Sequence, residues 1–317
     1  MKKITIFNTS IISDNIGDFI IMDSVNREFK ELFKKDMIFH SITHDKISKA
    51  TYRLNKISDY SFIGGTNLLS SNMNIYNQWK INLIDALFLK NIILMGVGWW
   101  QYQRKPNFYT KYLLKKVLSR NFLHSVRDSQ AEEMLKSIGI KNIINTGCMT
   151  MWQLTQEHCE KIPITKSDNV VFTITDYNKD SLLDQKFINI LNKNYKKIYF
   201  WPQGSGDLEY IKTLNNVSNI NILGGNLISY DELLDDKSIS LDFIGTRLHA
   251  GIRALQKLRR TIILGIDNRA EEKKKDFNLN VLSRVDIDKL ETFLKNDFET
   301  KIRINEENIN IWRNQFR

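Results

Sequence analysis

Phe243-Ile244-Gly245-Thr246-Arg247-Leu248-His249-Ala250-Gly251 reads as a short apolar strand that passes through a glycine and turns directly into a helix. The strand covers residues 241–244, apolar except for Asp242, as suits a strand set inside a sheet. The strand delivers Arg247 and His249 to its carboxyl end, where the helix begins. An imidazole beside a guanidinium makes a poor core at a helix N-terminus, but the position suits an anionic ligand. A histidine there is also able to pass a proton near neutral pH. A satisfied structural histidine is the competing reading.

Working outward, the same strand-then-helix unit recurs. Residues 170–174, 197–201, 220–223 and 261–264 read as strands, separated by helices that include 182–191, 209–214 and 248–256. The first half repeats the pattern with strands at 3–7, 37–42, 60–63, 91–95, 122–126 and 142–145, and helices at about 16–33, 109–116 and 129–138. Strands joined by helical crossovers imply parallel sheets covered on both faces. The polar stretch 157–167, which contains Pro163, marks a boundary. The expectation is an α/β protein of two doubly wound, Rossmann-like domains facing one another across a cleft. They span residues 1–160 and 161–317, the second carrying a C-terminal helix near 306–316.

Composition agrees with this reading. A chain of 317 residues exceeds one typical core, and 42% hydrophobic content suffices for two. The net charge of +10 is met by scattered surface lysines, or it serves attraction to anionic partners. No concentrated basic stripe with interleaved aromatics is evident, so a nucleic-acid module is not expected. Cys148 and Cys159 match no metal spacing. His40 and His44 stand four apart but lie where a strand ends, so no metal site is expected. The start Met1–Asn8 is too short and too quickly polar for a signal peptide. The apolar stretch 81–100 carries Asp85, Lys90 and Asn91, which disfavours a membrane span. A cytoplasmic protein follows, with a charge that suits peripheral contact with an anionic membrane.

Ligands of doubly wound sheets sit beyond the carboxyl ends of the strands, and this rule nominates further residues. Asn15-Ile16-Gly17-Asp18 starts a helix: Asn15 or Asp18 suits a cap, and Gly17 allows close approach of a ligand. Gly64-Gly65-Thr66-Asn67 offers backbone N–H groups to an anion, or forms a plain tight turn. Gly96-Val97-Gly98 leads to Trp99 and Trp100, which serve either as stacking platforms for a sugar ring or as core. Arg127, beside Asp128, has the geometry to grip a carboxylate or phosphate, or to pair with an acid. Arg269, in Ile266-Asp267-Asn268-Arg269, adds a cation at the next strand end, and Arg253 faces either the cleft or solvent.

Taken in order, Asn15/Gly17/Asp18, Gly64-Gly65, Val126-Arg127-Asp128, Arg247-Leu248-His249 and Ile266–Arg269 resemble the motifs of the polysaccharide pyruvyl transferases. The resemblance covers about residues 4–280. It implies a two-domain fold like the GT-B glycosyltransferases, phosphoenolpyruvate as co-substrate with no cofactor, and a sugar or lipid-linked oligosaccharide as acceptor. It implies His249 as general acid, with Arg247, Arg127 and Arg269 around the donor's charges and Asp18 as a candidate base. Two positions depart from the family pattern: Arg269 replaces a lysine, and Cys148 stands in a turn where relatives carry an aspartate. A nucleotide-sugar glycosyltransferase and a non-catalytic polysaccharide-assembly protein are the alternatives. The three arginines, with no evident carboxylate for a ribose, favour a small trianion over a nucleotide.

Overall fold

The computed structural model describes all residues, 1–317. In chain order the elements are β1 (Lys3–Asn8), α1 (Ile16–Leu32), β2 (Met37–Ile42), α2 (Lys49–Ile57), β3 (Tyr60–Gly64), α3 (Asp85–Phe88), β4 (Ile92–Met95), α4 (Phe108–Val117), β5 (His124–Val126), α5 (Ser129–Ser137) and β6 (Ile143–Asn145). They continue with α6 (Gln156–Cys159), β7 (Asn169–Thr173), α7 (Ser181–Asn194), β8 (Lys197–Phe200), α8 (Asp207–Ile211), β9 (Ile220–Ile222), α9 (Leu227–Asp235), β10 (Leu241–Gly245), α10 (Leu248–Gln256), β11 (Thr261–Gly265), α11 (Asn268–Phe277), β12 (Val281–Ser283), α12 (Leu290–Lys295) and α13 (Glu306–Asn314). Side chains cap many of the helices, among them Ser48, Asn107, Asp128, Asp180, Asn226 and Asp267, each accepting from a backbone N–H of the first turn.

Two compact units form. The first comprises Met1–Ser13, Ile21–Trp152 and Ile304–Arg317, and the second Asp14–Ile20 and Gln153–Arg303. This division corrects the expected one at the C-terminus, because α13 belongs to the first unit. The reason is aromatic packing: Phe316 lies 5.0 Å from Phe62 and 5.4 Å from Tyr60, and Trp312 lies 5.6 Å from Trp152. Arg313 adds a two-pronged ion pair to Glu28, at 2.5 and 2.6 Å.

The first unit is built on a parallel sheet of order β2-β1-β3-β4. β1, β3 and β4 are largely buried on both faces, which explains their apolar runs, while the edge strand β2 is mostly exposed or half-buried. Phe7, Ile63, Leu94, Val97, Trp99 and Leu113 belong to one of its core clusters. The β5–β6 pair continues beyond β4 through Gly96 N–H to the Ser125 carbonyl (3.0 Å) and Leu94 N–H to Nδ1 of His124 (3.2 Å). The other ring nitrogen of His124 donates to the Ser119 carbonyl at 2.9 Å, so both contacts require the neutral ring. Burial lowers the pKa of this ring to about 4.

The second unit carries six parallel strands in the order β12-β11-β10-β7-β8-β9. Every residue of β10 and β11 is buried, and Phe172, Phe200, Ile244 and Leu264 join its core. Chain progression reverses between β7 and β10, which pair with Thr173 opposite Gly245. The carboxyl ends of these two strands flank the crevice where doubly wound sheets take ligands.

Candidate functional site

Three loops meet on the carboxyl edge of the second sheet. Thr175, Asp176 and Tyr177 follow β7, Gln203 and Gly204 follow β8, and Thr246, Arg247 and His249 follow β10. Asp207, fully buried at the start of α8, ties them together. Its carboxylate accepts the backbone N–H groups of Asp176 (3.0 Å), Gln203 (3.0 Å) and Gly204 (2.8 Å). It also accepts Arg247 Nε at 3.1 Å and Nη2 at 2.5 Å. The Arg247 guanidinium reaches Asp176 as well, at 3.2 Å. Gly204 permits this approach, since a Cβ there would stand 2.4 Å from Nη2 of Arg247.

Tyr177 joins Arg247 to the loop that follows β11. Its ring centroid lies 5.2 Å from the Arg247 guanidinium carbon and 5.7 Å from that of Arg269. Its hydroxyl contacts Asp267 at 3.2 Å and accepts from Arg269. Burial raises the Tyr177 pKa. For Arg269, burial works against the charge, but the Tyr177 oxygen and the Asp267 carboxylate outweigh it and hold the pKa above the ordinary value. Asp18 adds to that effect, which brings it electrostatically into the same site.

The expected helix-start residues lie here too. Asn15 bridges to Gly204, and Ile16 N–H donates to the Gln203 carbonyl at 3.1 Å. Asn15 Oδ1 accepts the Gly17 N–H at 3.1 Å, and a Cβ on Gly17 would come within 2.7 Å of Gln203 Nε2. The structure therefore gathers Asn15, Gly17, Asp18, Arg247, His249 and Arg269 in one unit. His249 is buried in the first turn of α10, a helix whose residues are all buried. Arg253, farther along it, is claimed by Asp231 in a two-pronged pair at 2.8 and 2.6 Å, so it faces neither ligand nor open solvent.

Polar atoms on this edge make no hydrogen bond to the protein. They are Thr175 Oγ1, Thr246 Oγ1 and Gln203 Oε1, all on residues at least nine-tenths buried. The bonds of Arg247 and Arg269 to acidic and tyrosine oxygens run through Nε and Nη2, leaving each Nη1 for another acceptor. A buried polar group without a partner costs about 1–3 kcal/mol, so three together point to a ligand. The N-terminus of α10 contributes N–H groups and the positive end of the helix dipole.

The remaining predicted residues belong to the first unit. The Gly65 N–H, expected to face an anion, instead donates to the Met95 carbonyl at 2.8 Å. Thr66 has a positive φ of 55°, and Asn67 is buried with Oδ1 unbonded. Trp99 corrects the stacking expectation: it is wholly buried, and its N–H points at Ser71 and Gln103. Trp100 is half-buried, with its ring centroid 4.2 Å from that of Tyr76. Arg127 is buried and pairs with Asp128 at 2.8 Å, while Asp128 also caps α5.

Each of the three arginines thus carries its own aspartate. The cations of this edge are opposed by carboxylates, which leaves hydroxyls, helix N–H groups and the Nη1 edges of Arg247 and Arg269 as the groups able to meet an anion. Asp207, Asp176, Tyr177, Thr175 and Gln203 were not foreseen. Each stands near the end of a recognised strand, so the sheet-edge rule applied to β7 and β8 would have nominated them.

A sequence model for polysaccharide pyruvyl transferases matches residues 15–268. The chain belongs to the polysaccharide pyruvyl transferase family. Its matched span begins at Asn15 and closes at Asn268, so it covers the edge just described except for Arg269. Among solved structures, this pyruvyl transferase family member is similar to Methanocaldococcus jannaschii UDP-GlcNAc 2-epimerase, in complex with UDP-GlcNAc and UDP. That likeness has a TM-score of 0.58 and 13% identity, over 99% of each chain. It is also similar to S. aureus MnaA in a co-structure with UDP, with a TM-score of 0.56 and 10% identity over 93% of this chain and 88% of that one. These neighbours share the GT-B-like α/β fold. A search of curated proteins gave no match.

Proposed function

We propose that the protein transfers a pyruvyl group from phosphoenolpyruvate to hydroxyls of a saccharide, with the carboxyl edge of β7, β8 and β10 as the donor site. The observation that carries this reading is the set of buried, unbonded oxygens of Thr175, Thr246 and Gln203 beside His249 and the N-terminus of α10. Hydroxyls and helix N–H groups suit phosphate and carboxylate oxygens, and the Nη1 edges of Arg247 and Arg269 supply charge-assisted bonds.

In this scheme His249 gives a proton to the methylene carbon of the enol phosphate, leaving an oxocarbenium-like C2. A sugar hydroxyl forms a bond to C2 and yields its proton to a base, for which Asp18 is the candidate. The bond between C2 and the phosphate oxygen then breaks with phosphate leaving, and a second hydroxyl bonds to C2 and gives its proton to the now neutral His249, closing the ketal. General acid catalysis contributes roughly 10²–10⁴-fold, and fixed dipoles and positioning supply the rest.

A nucleotide-sugar donor is the second reading. It is favoured by the pairing of Arg247 with Asp207 and Arg269 with Asp267, which lowers the positive charge available to a trianion. Incubation with phosphoenolpyruvate and a saccharide panel separates the two. Inorganic phosphate released with incorporation of pyruvate, and lost in His249→Gln, supports the pyruvyl transfer. UDP released from a UDP-sugar with phosphoenolpyruvate unconsumed overturns it.

A further inference from the structure

We propose that the α3–α4 face of the first unit is a docking surface for an anionic lipid bilayer. No acidic residue occurs between Asp85 and Asp128, a stretch that contains all of α4. The buried face of α4 is Thr110, Leu113, Leu114 and Val117, and its opposite face carries lysines and aromatics with no acid. Phe108, Lys111, Tyr112, Lys115, Lys116 and Arg120 line a groove of about 270 Å³. Lys115 and Arg120 continue into an adjoining hollow with Lys141.

Two independent features mark this surface. The first is unspent charge. None of these cations has a carboxylate partner, whereas in the second unit Lys186, Lys193, Lys196, Lys212, Lys257 and Lys289 are each paired with an acid. The second is apolar exposure. Phe108 is 81% exposed, and Ile84 and Leu87, on and beside the neighbouring α3, are exposed by 67% and 69%. Lysines around protruding aromatic and aliphatic side chains suit a protein surface that rests on the headgroup layer of an anionic bilayer. The cations meet anionic phosphates while the apolar tips enter the acyl boundary. Ile84 and Leu87 favour lipid over nucleic acid, which rewards aromatic platforms rather than aliphatic ones. No helix is long and apolar enough to cross a membrane, so the contact is peripheral.

The test is flotation of the full-length protein with phosphatidylcholine vesicles, with and without phosphatidylglycerol. The wild type floats only with the anionic vesicles, and added salt weakens binding. The Lys111→Glu/Lys115→Glu/Lys116→Glu variant loses affinity on the order of a hundredfold or more. Phe108→Ser loses about tenfold, and that loss persists at high salt. A control of equal charge change in the second unit, Lys186→Glu/Lys193→Glu/Lys196→Glu, keeps most of the binding. Circular dichroism confirms that each variant is folded. Failure of the wild type to float, equal loss in the control, or retention on an RNA oligonucleotide without vesicle binding overturns the proposal. The outcome does not depend on the donor substrate.

Discussion

Arg247 meets Asp207 through two parallel hydrogen bonds, from Nε at 3.1 Å and Nη2 at 2.5 Å, and Asp207 is completely buried. The same carboxylate holds the loops after β7 and β8 through three backbone N–H groups. One buried acid therefore sets both the guanidinium and the walls around it.

Asp207→Asn should remove the negative charge and leave Arg247 buried with only the partly exposed Asp176 as counter-charge. Breaking one side of a buried pair costs about 3–5 kcal/mol. Urea denaturation should show a loss at the lower end of that range, since asparagine still accepts some of the N–H groups. An unchanged midpoint contradicts the structural role.

His124 makes stability depend on pH. Its folded pKa of about 4 lies below the ordinary 6.5, so the unfolded chain takes the proton first. The stabilisation is fully present above pH 6.5 and drains away as pH falls toward about 4, by about 3 kcal/mol in all. Urea melts at a series of pH values should show this decline in the wild type and a flatter profile in His124→Gln.

Trp312 is wholly buried in the aromatic cluster that holds α13 on the first unit. Trp312→Ala should destabilise by about 3–5 kcal/mol. Removing residues 304–317 should expose Phe62 and Tyr60 and cause aggregation, measured by light scattering. A soluble, monodisperse truncation runs against this packing account.

Trp99→Phe tests whether that indole packs or binds. The loss of its N–H contacts to Ser71 and Gln103 should cost about 1–3 kcal/mol of stability. Affinity for any saccharide should stay unchanged in a titration of the folded variant.

Much of the fold was legible because the central strands are buried on both faces, so β11 and, apart from Asp242, β10 appear as apolar runs between helical segments. The edge between Gly245 and His249 was legible for the same reason, with a strand, a glycine and a helix start in close succession. The partner of α13 was not. The spacing of Ile309, Trp312 and Phe316 shows that a face is buried but not against what. The pairing of Arg247 was equally hidden, because Asp207 meets it from a separate loop with no local motif, whereas Arg127 and Arg269 pair with acids close to them in sequence. Net charge alone did not show where the cations stand free: those at the site are paired with carboxylates, while those of α4 have no acid partner.

Calorimetric titration of phosphoenolpyruvate, UDP and UDP-GlcNAc into the wild type and Thr246→Val tests the donor site most directly. Phosphoenolpyruvate should bind the wild type and bind the variant about tenfold more weakly, the worth of one hydrogen bond. Nucleotide-sugar binding with phosphoenolpyruvate silent, or phosphoenolpyruvate binding indifferent to Thr246→Val, would contradict it.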